Sequence, residues 1–257
     1  MHAASHLPLA HRLAELAGEA IRPFFRSALL PDDKPDGSPV TLADKAAEEA
    51  MRREIAARAP SHGVIGEEFG HDRADAEWVW VLDPIDGTKA FLTGKPLFTT
   101  LIGLLHRGRP VLGVIDQPIL GDRWAGALGE PTTFRGEVAH TRVCASVAEA
   151  RLSTTGPDYF TPWGREAFDR VLARVRLRSW GGDGYQYGLV ASGSLDLVIE
   201  EGLKLHDWAA LIPIIEGAGG RVTDWDGNAP MADGPGRILA AGDARCHAEA
   251  IALLRGG

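Results

Sequence analysis

The sequence predicts a mixed α/β fold, and three observations support that class. In the second half of the 257-residue chain, short apolar runs of β type alternate with segments of helical periodicity. In the first half, two stretches with helical spacing precede apolar runs that include a hairpin pattern. Hydrophobic residues make up 45% of the chain and charged residues 24%, which is ordinary for a soluble globular protein. A chain of this length can bury one large core or two adjoining smaller ones.

The N-terminal part is expected to hold two helices joined by a loop. Apolar residues recur at three- and four-residue spacing over residues 6–28, which predicts an amphipathic helix. Residues 31–39 are dense in proline, glycine and aspartate, and they predict a loop. A second helix opens near Thr41 and Asp44, either of which can serve as its N-cap, and Pro60 ends it.

The remaining elements follow from shorter patterns. In the first half we expect strands at residues 64–65, 79–82, 98–105, 111–117 and 123–128. In the second half we expect strands at residues 151–155, 177–180, 195–200, 221–225 and 237–241. Helices are expected at residues 164–175, directly after 181–184, at 207–218 and at 244–254. The pattern weakens over residues 132–146, so we place a domain boundary near residue 140, between residues 1–140 and 141–257.

Composition narrows the function classes. The net charge of -8, with no compensating basic run, argues against a nucleic-acid surface. Cys144 and Cys246 are too few for a disulfide framework or a thiolate zinc site, and we interpret them as buried thiols. No stretch approaches the roughly 18 apolar residues of a membrane span. No basic segment followed by an unbroken apolar run opens the chain, so we expect no signal peptide and a cytoplasmic protein.

One motif organises the chain, the segment from Asp83 to Thr88 that follows the apolar run 79–82. We expect Asp83 and Pro84 to stop a strand, so that two carboxylates three residues apart lie where the backbone bends. The carbonyl of Ile85 can then face the same point as Asp83 and Asp86. Hard cations such as Mg²⁺ prefer this mixture of carboxylate, carbonyl and water ligands. The motif alone is equally consistent with a simple Asp-Pro turn.

Two distant acidic residues favour the metal interpretation. Glu67 follows the predicted strand 64–65, and Asp207 opens the predicted helix 207–218, although Asp207 can also be only a helix cap. Four clustered carboxylates would repel strongly unless cations neutralised them. Two divalent ions about 4 Å apart would do so, and such a pair supports phosphoryl transfer. Glu68 is interpreted as a solvated or supporting charge.

The residues beside this cluster suggest the rest of a hydrolytic site. Thr88 can orient a water molecule through its hydroxyl group, and Asp44 can accept the hydroxyl proton of Thr88. The backbone N–H groups of Gly87 and Thr88 can hold phosphate oxygens. Lys89 is a candidate phosphate contact, or simply a solvated lysine. The nine histidines show no metal-binding spacing and are interpreted as surface or packing residues.

Three segments together resemble the signatures of the inositol monophosphatase family. They are Gly66-Glu67-Glu68, the run from Trp80 to Thr88, and His206-Asp207-Trp208 with the glycine-rich end at residues 216–220. The resemblance extends from residue 41 to residue 227. It implies a layered α-β-α-β-α sandwich (the sugar phosphatase fold), a homodimer, and a lithium-sensitive phosphomonoesterase that uses two or three Mg²⁺ ions. The implied metal ligands are Glu67, Asp83, the carbonyl of Ile85, Asp86 and Asp207. The implied catalytic residues are Asp44, Glu67 and Thr88.

The second half is similar to the histidinol-phosphatase branch of this family. The similarity rests on residues 181–188 and 200–204, although Gly184 stands where that branch usually has cysteine and His206 where it often has tyrosine. An aspartate at position 183 would pair with the ammonium group of L-histidinol phosphate, and Glu200 can add a second acidic contact. Asp183 can also be a helix N-cap.

Two other functions stay open at this stage. The same chemistry can act on inositol 1-phosphate, another sugar phosphate or a phosphoadenosine nucleotide. A non-catalytic binding protein with the same fold is the third hypothesis. The intact set of clustered acidic residues argues against it. The expected partner is therefore a small phosphate monoester, with no nucleic acid and no membrane.

Overall fold

The computed structural model describes residues 2–27, 32–33 and 39–256, which form two β-sheets and several layers of helices. The helices are α1 (Leu7–Ile21), α2 (Leu42–Arg58), α3 (Thr88–Leu92), α4 (Pro162–Leu172), α5 (Asp183–Ala191), α6 (Leu205–Trp208), α7 (Leu211–Gly217) and α8 (Ala244–Arg255). Short 3-10 turns lie at Ala3–His6, Arg22–Phe24, Val147–Glu149 and Pro157–Tyr159. The predicted first and second helices are thus confirmed, with boundaries shifted by a few residues.

The larger sheet contains eight strands in the order β10-β9-β8-β7-β6-β5-β3-β4. These are β3 (Gly63–Gly66), β4 (Gly70–Asp72), β5 (Trp78–Asp86), β6 (Thr99–His106), β7 (Arg109–Gln117), β8 (Asp122–Ala127), β9 (Thr133–Phe134) and β10 (Glu137–Val138). Only β3 and β5 pair in parallel, and the predicted hairpin is β6 with β7. The small strands β4, β9 and β10 were not predicted.

The smaller sheet contains five strands in the order β12-β11-β13-β15-β14. These are β11 (Arg151–Thr154), β12 (Leu177–Trp180), β13 (Leu197–Glu200), β14 (Arg221–Thr223) and β15 (Ile238–Ala241). Strands β12, β11 and β13 run in parallel, whereas β13, β15 and β14 are antiparallel neighbours. The larger sheet lies before residue 140 and the smaller sheet after it, while the division into two domains stays a prediction.

The layers follow the order α-β-α-β-α, as expected for this fold class. Helices α1 and α2 pack on one face of the larger sheet, and α5, α6 and α7 pack on its other face. Helices α5 and α7 also contact the smaller sheet, whose outer face is covered by α8, with α4 packed on α8. Alternate residues of β5 illustrate the packing. Trp80 and Leu82 face α1 and α2, whereas Val79 and Val81 face the central helices.

Glycine lets the central helices approach the larger sheet closely. A Cβ atom built on Gly113 of β7 would lie 1.9 Å from the carbonyl oxygen of Ala210, between α6 and α7. A side chain at this position would therefore force the helix layer away from the strands. The carboxyl ends of β3 and β5 are held near α6 in this way.

Three sequence predictions differ from the structure. Strand β5 does not stop at Asp83 but continues to Asp86, with a register shift between these residues. Pro84 is tolerated there because an irregular strand position does not require its missing N–H group. The helix expected over residues 207–218 is two helices, since Pro213 cannot donate the next helical hydrogen bond and α7 starts only at Leu211. The loop expected at residues 31–39 contains a short antiparallel pair, β1 (Asp32–Asp33) with β2 (Pro39–Val40), and its other residues lie outside the described residues.

Other sequence expectations are confirmed. Cys144 and Cys246 are free and buried. Across the described ranges, none of the helices has both the length and the apolar character needed to cross a membrane.

Candidate active site

A cavity of about 640 Å³ opens between the two sheets. It lies at the carboxyl ends of their parallel strands, which contribute Glu67 just after β3, Asp86 of β5, Thr155 just after β11, Trp180 of β12 and Glu200 of β13. Helix α3 and the first turns of α5 and α6 complete the walls. Loops at the carboxyl ends of parallel strands commonly carry the binding residues of α/β proteins.

The predicted carboxylates meet at one end of this cavity. Oxygen atoms of Asp83, Asp86 and Asp207 lie within 4.8 Å of one another. A second group, Glu67, Asp83 and the imidazole of His206, lies within the same distance. Asp83 belongs to both groups, is only 2% exposed, and its Oδ1 atom has no hydrogen-bond partner. An unsatisfied buried carboxylate oxygen of this kind requires an explanation.

Burial and mutual repulsion perturb the acidity of these groups. The pKa of Asp83 is raised well above its usual range by burial, and then by the charges of Glu67, Asp86 and Asp207. The pKa of Asp86 is likewise raised by burial, and then by Asp183 and Asp207. The pKa of Asp207 is also raised, chiefly by burial. Such shifts mean that the negative charges are poorly compensated by the protein itself.

The donor set fits a hard divalent cation. Asp83, Asp86 and Asp207 offer only carboxylate oxygens, which suit Mg²⁺ better than a soft metal ion. A cation would also satisfy the Oδ1 atom of Asp83 and offset the repulsion that raises the three pKa values. The described residues therefore contain an acidic cluster that can bind metal.

Asp86 is held by contacts from the larger sheet and from the central helix α5. Its Oδ2 atom accepts a hydrogen bond from Thr99 Oγ1 on β6 at 3.3 Å and a short one from the backbone N–H of Gly184 on α5. A Cβ atom on Gly184 would lie 2.6 Å from that same Oδ2 atom. Glycine at this position therefore lets the backbone of α5 reach the carboxylate directly.

Asp207 caps its helix and also lies in the acidic cluster. It lies at the third position of α6, and its Oδ2 atom accepts a hydrogen bond from the N–H of Lys204 at 2.6 Å, so it closes the capping box of this helix. Its carboxylate is also one of the three clustered groups. His206, one of the histidines interpreted as surface or packing residues, lies at the edge of the cluster, with its Nε2 atom 3.5 Å from Asp207 Oδ1. Its position beside Asp207 in the third motif was the signal available in the sequence.

Glu48 positions the loop that carries Glu67, and sequence reasoning missed it. This fully buried side chain on α2 accepts a hydrogen bond from the N–H of Glu68 at 2.8 Å and one from the N–H of Phe69 at 3.2 Å. Its Oε1 atom also pairs with Arg52 at 2.7 Å. Glu48 follows Asp44 by one helical turn on the buried face of α2, and this pair of acids on an apolar face was the available signal.

Thr88 and Asp44 each have a partner of their own. Thr88 Oγ1 donates a hydrogen bond to the carbonyl of Ile85 at 3.2 Å. Asp44 Oδ2 accepts hydrogen bonds from the N–H of Thr41 at 2.8 Å and from its hydroxyl at 2.6 Å, which forms a capping box at the start of α2. The proton relay from Thr88 to Asp44 stays a prediction. Gly87, with φ of 85°, ends the turn that leads into α3.

Asp183 lies against the turn of the central motif and is not the N-cap of α5. Gly182 holds that position, and no side chain caps the helix. A Cβ atom on Gly87 would lie 2.7 Å from Asp183 Oδ2, so this carboxylate packs directly on the turn. Burial raises the pKa of Asp183 to about 6, while the positive charges of Lys89 and Lys95 act in the opposite direction.

Glu200 is a second buried acid in the same wall. It is 2% exposed, and its Oε1 atom accepts hydrogen bonds from the N–H of Thr155 at 2.6 Å and from Gln186 Nε2 at 2.5 Å. Burial nonetheless raises its pKa to about 7. Lys89 also lines the cavity, and its ammonium group donates to Tyr159 OH at 2.7 Å, so it is a partnered rather than a simply solvated lysine.

Comparison with known sequences agrees with this geometry. The sequence model of the inositol monophosphatase family matches residues 4–256. The chain is 48% identical to the bifunctional phosphatase IMPL2 of Arabidopsis thaliana, over 94% of this chain and 72% of the relative. It is 37% identical to a histidinol-phosphatase of Mycobacterium tuberculosis over 98% of both chains. A probable inositol 1-monophosphatase ImpA of the same organism is 35% identical over 79% of this chain and 78% of the relative.

Comparison with solved structures gives the same fold. An inositol monophosphatase from Zymomonas mobilis is 47% identical, covers 98% of both chains and superposes with a TM-score of 0.91. An inositol monophosphatase from Anabaena is 27% identical, with a TM-score of 0.86 over 98% of this chain and 96% of its own.

Proposed function

The chain belongs to the inositol monophosphatase family and is a phosphatase, and we propose that it is the Mg²⁺-dependent enzyme that hydrolyses L-histidinol phosphate to L-histidinol and phosphate. One observation carries the choice of substrate. Two carboxylates, the half-buried Asp183 and the buried Glu200, line the cavity that also contains the metal-binding cluster. A substrate that joins a phosphate to an amine matches a site with this distribution of charge.

The phosphate end of the reaction is assigned to the acidic cluster and the adjoining turn. We propose that Glu67, Asp83, Asp86, Asp207 and the carbonyl of Ile85 hold the metal ions. When bound, such ions lower the pKa of a water molecule and offset the charge of the phosphate. The N–H groups of Gly87 and Thr88 are proposed to bind phosphate oxygens, and Lys89 can add its charge once it leaves Tyr159.

The proton-handling groups are Thr88 and Asp44. We propose that the Thr88 hydroxyl orients the attacking water and passes its own proton towards Asp44. The capping box supports this role for Asp44, because Thr41 fixes one carboxylate oxygen and thereby sets the direction of the other. Glu67 is proposed to act in the same step by accepting a hydrogen bond that orients this water, so the single proton that the water loses passes through Thr88, and solvent protonates the leaving alkoxide oxygen of histidinol. Glu48 serves as a positioning residue for the loop that carries Glu67.

The leaving-group end of the cavity favours an amine. An ammonium group forms charge-assisted hydrogen bonds with carboxylates, whereas the hydroxyl groups of inositol gain less from a buried charge. Binding an ammonium would also compensate the burial that raises the pKa values of Asp183 and Glu200. Histidinol-phosphatases among the relatives, at 35–37% identity, support the same substrate.

Inositol 1-phosphate is the second candidate substrate. Its support is the 47% identity to the inositol monophosphatase of Zymomonas mobilis, which exceeds the identity to any of the histidinol-phosphatases named above. A broader sugar or nucleotide phosphatase would use the same metal cluster. We further propose a cytoplasmic homodimer, which rests on sequence and family resemblance.

Phosphate release with Mg²⁺ from a small panel tests these assignments. The panel contains histidinol phosphate, inositol 1-phosphate, fructose 1,6-bisphosphate and phosphoadenosine phosphate. We expect kcat/KM to favour histidinol phosphate by about 100-fold, roughly the 2.7 kcal/mol of one well-paired charged contact. Similar kcat/KM values on all four esters would still agree with a phosphatase but would contradict histidinol phosphate as its specific substrate.

The variant Asp183→Asn sharpens this test. Asparagine keeps the shape of the side chain and tolerates the positive φ of 41° at this residue, so the fold should persist. We expect the variant to lose activity on histidinol phosphate selectively. Asp158→Asn is the matched control, because this exposed aspartate near the same wall does not line the cavity. Equal losses on charged and neutral esters would contradict amine recognition.

A further inference from the structure

Two aromatic side chains in the cavity wall have no role in the reaction described above. Tyr159 and Trp180 both line the cavity, and they are 49% and 45% exposed. Large aromatic side chains are mostly buried elsewhere in this protein, as Trp80 and Trp124 are. Half-exposed aromatic rings inside a cavity are a common feature of ligand sites.

Their place in the fold assigns them to the leaving-group end. Trp180 is the last residue of β12, and Tyr159 lies in the 3-10 turn that follows β11. Thr155, just after β11, and Glu200, the last residue of β13, lie at the same edge of the smaller sheet. Both rings therefore belong to the wall of the smaller sheet, whereas Asp86 and its neighbouring metal-binding carboxylates belong to the opposite wall.

Neighbouring contacts support and position each ring. Trp180 pairs with Thr154 in the register of the sheet, and its ring centroid lies 6.2 Å from that of Phe168. Tyr159 already holds a cation of the chain itself, because the ammonium nitrogen of Lys89 lies 4.7 Å from the ring centroid. The same nitrogen lies 2.7 Å from Tyr159 OH, so Lys89 fixes the orientation of this ring at the cavity wall.

The same cavity contains an unsatisfied polar group. The hydroxyl of Tyr187 is buried and has no hydrogen-bond partner, although Tyr187 lines the cavity. The charges of Glu200, Asp86 and Asp207 act on this hydroxyl, so it belongs to the acidic end of the cavity and not to the wall that carries the two rings.

We propose that Tyr159 and Trp180 form an aromatic subsite that binds a planar heteroaromatic ring of the leaving group. This inference rests on the proposed function, since it identifies the part of the substrate that lies farthest from the phosphate. The acidic residues then recognise an amine, and the aromatic subsite recognises the ring attached to it. Together they select a phosphate ester that contains both groups.

Four phosphate esters separate ring recognition from amine recognition. Histidinol phosphate has a ring and an amine, O-phosphoethanolamine only an amine, 3-(imidazol-4-yl)propyl phosphate only a ring at the same spacing from the phosphate, and glycerol 2-phosphate neither. For Trp180→Leu we expect kcat/KM to fall about five- to tenfold on the two esters with a ring, the range of one aromatic contact. On the two esters without a ring we expect less than a twofold change. Trp180→Phe and Tyr159→Phe should retain most of the activity.

Leu177→Ala is the matched control, because Leu177 lies on the same strand as Trp180, is 49% exposed, and does not line the cavity. It should change none of the four values. Equal losses of Trp180→Leu on esters with and without a ring, or no loss on any ester, would overturn the aromatic subsite.

Binding of L-histidinol provides a readout that does not depend on turnover. By calorimetry we expect Trp180→Leu to raise the Kd of histidinol about five- to tenfold and to leave that of ethanolamine unchanged. If the wild-type protein hydrolyses none of the four esters, the proposed function is refuted, but the aromatic subsite is still tested by the binding of histidinol. An unchanged Kd for histidinol would refute the subsite alone.

Discussion

Replacing Asp83 with asparagine tests the carboxylate cluster through the stability of the protein. Asp83 is buried with an unsatisfied oxygen, and its pKa is raised by burial and by three neighbouring acids. Without metal, the folded protein must either keep this charge or protonate it. At pH 7 the free-energy cost of burying the Asp83 carboxyl group cannot exceed the cost of protonating an ordinary aspartic acid, which is about 4 kcal/mol. Asparagine removes this cost, so we expect the metal-free variant to be more stable than the wild type by about 1–4 kcal/mol.

Metal stabilises the wild type selectively and so reduces or reverses the difference between the two proteins. Mg²⁺ at about 100 times its Kd would stabilise the wild type by about 2.7 kcal/mol. For a chain of this size that corresponds to roughly 5–10 °C in Tm. The variant should show little of this shift, because asparagine lacks the charge that the cation needs. Thermal melts with a chelator and with saturating Mg²⁺ measure both effects.

Asp116→Asn is the matched control for this experiment. Asp116 is equally buried, but Arg123 pairs with it at 2.6 Å, so its loss leaves an unpaired charge. We expect this variant to be destabilised by a similar amount with and without Mg²⁺. A metal-free Asp83→Asn variant that melts below the wild type, or that responds fully to Mg²⁺, would refute the reasoning about the cluster.

Three further predictions use other groups. Burial raises the pKa of Asp183 to about 6 and that of Glu200 to about 7, so both acids become neutral below about pH 6. The preference in kcat/KM for histidinol phosphate over inositol 1-phosphate should therefore fall at low pH. A ratio of kcat/KM values that does not change with pH would contradict amine pairing. The Gly184→Ala variant would bring a Cβ atom to 2.6 Å from Asp86 Oδ2. The Mg²⁺ concentration that gives half-maximal activity should therefore rise about tenfold or more. An unchanged concentration would show that Asp86 adjusts freely. Burial lowers the pKa of His247 to about 4, so between about pH 6.5 and 4 the unfolded state binds more protons than the folded state. The free energy of unfolding should therefore fall by up to about 3 kcal/mol as the pH drops through this range. Urea titrations of the His247→Gln variant should not show this loss.

Much of the site could be predicted because its motifs are local. The segment from Asp83 to Thr88 places two carboxylates and a turn within six residues, so short-range geometry largely determines their proximity. The strand itself was misjudged, because β5 runs through Pro84 to Asp86. Proline normally ends such a strand, and only the tertiary context of a register shift permits it to continue.

Residues that act through long-range contacts were harder to find. Glu48 lies 20 residues from Glu68, whose N–H group it binds, and nothing in the local pattern connects them. Nothing in the local pattern connects Tyr159 with Trp180 either, and the arrangement of strands brings both to one cavity.

The sequence by itself determined the fold class, the family and the identity of the acidic residues, because periodicity and motif spacing are properties of neighbouring residues. Only the tertiary structure decided which of these groups meet and in what state. Asp86 contacts Gly184 from 98 positions away, and this approach requires both sheets and the absence of a Cβ atom. The raised pKa values of Asp83 and Glu200 likewise arise from burial. Burial depends on the packing of the whole chain, so no local stretch of sequence can specify it.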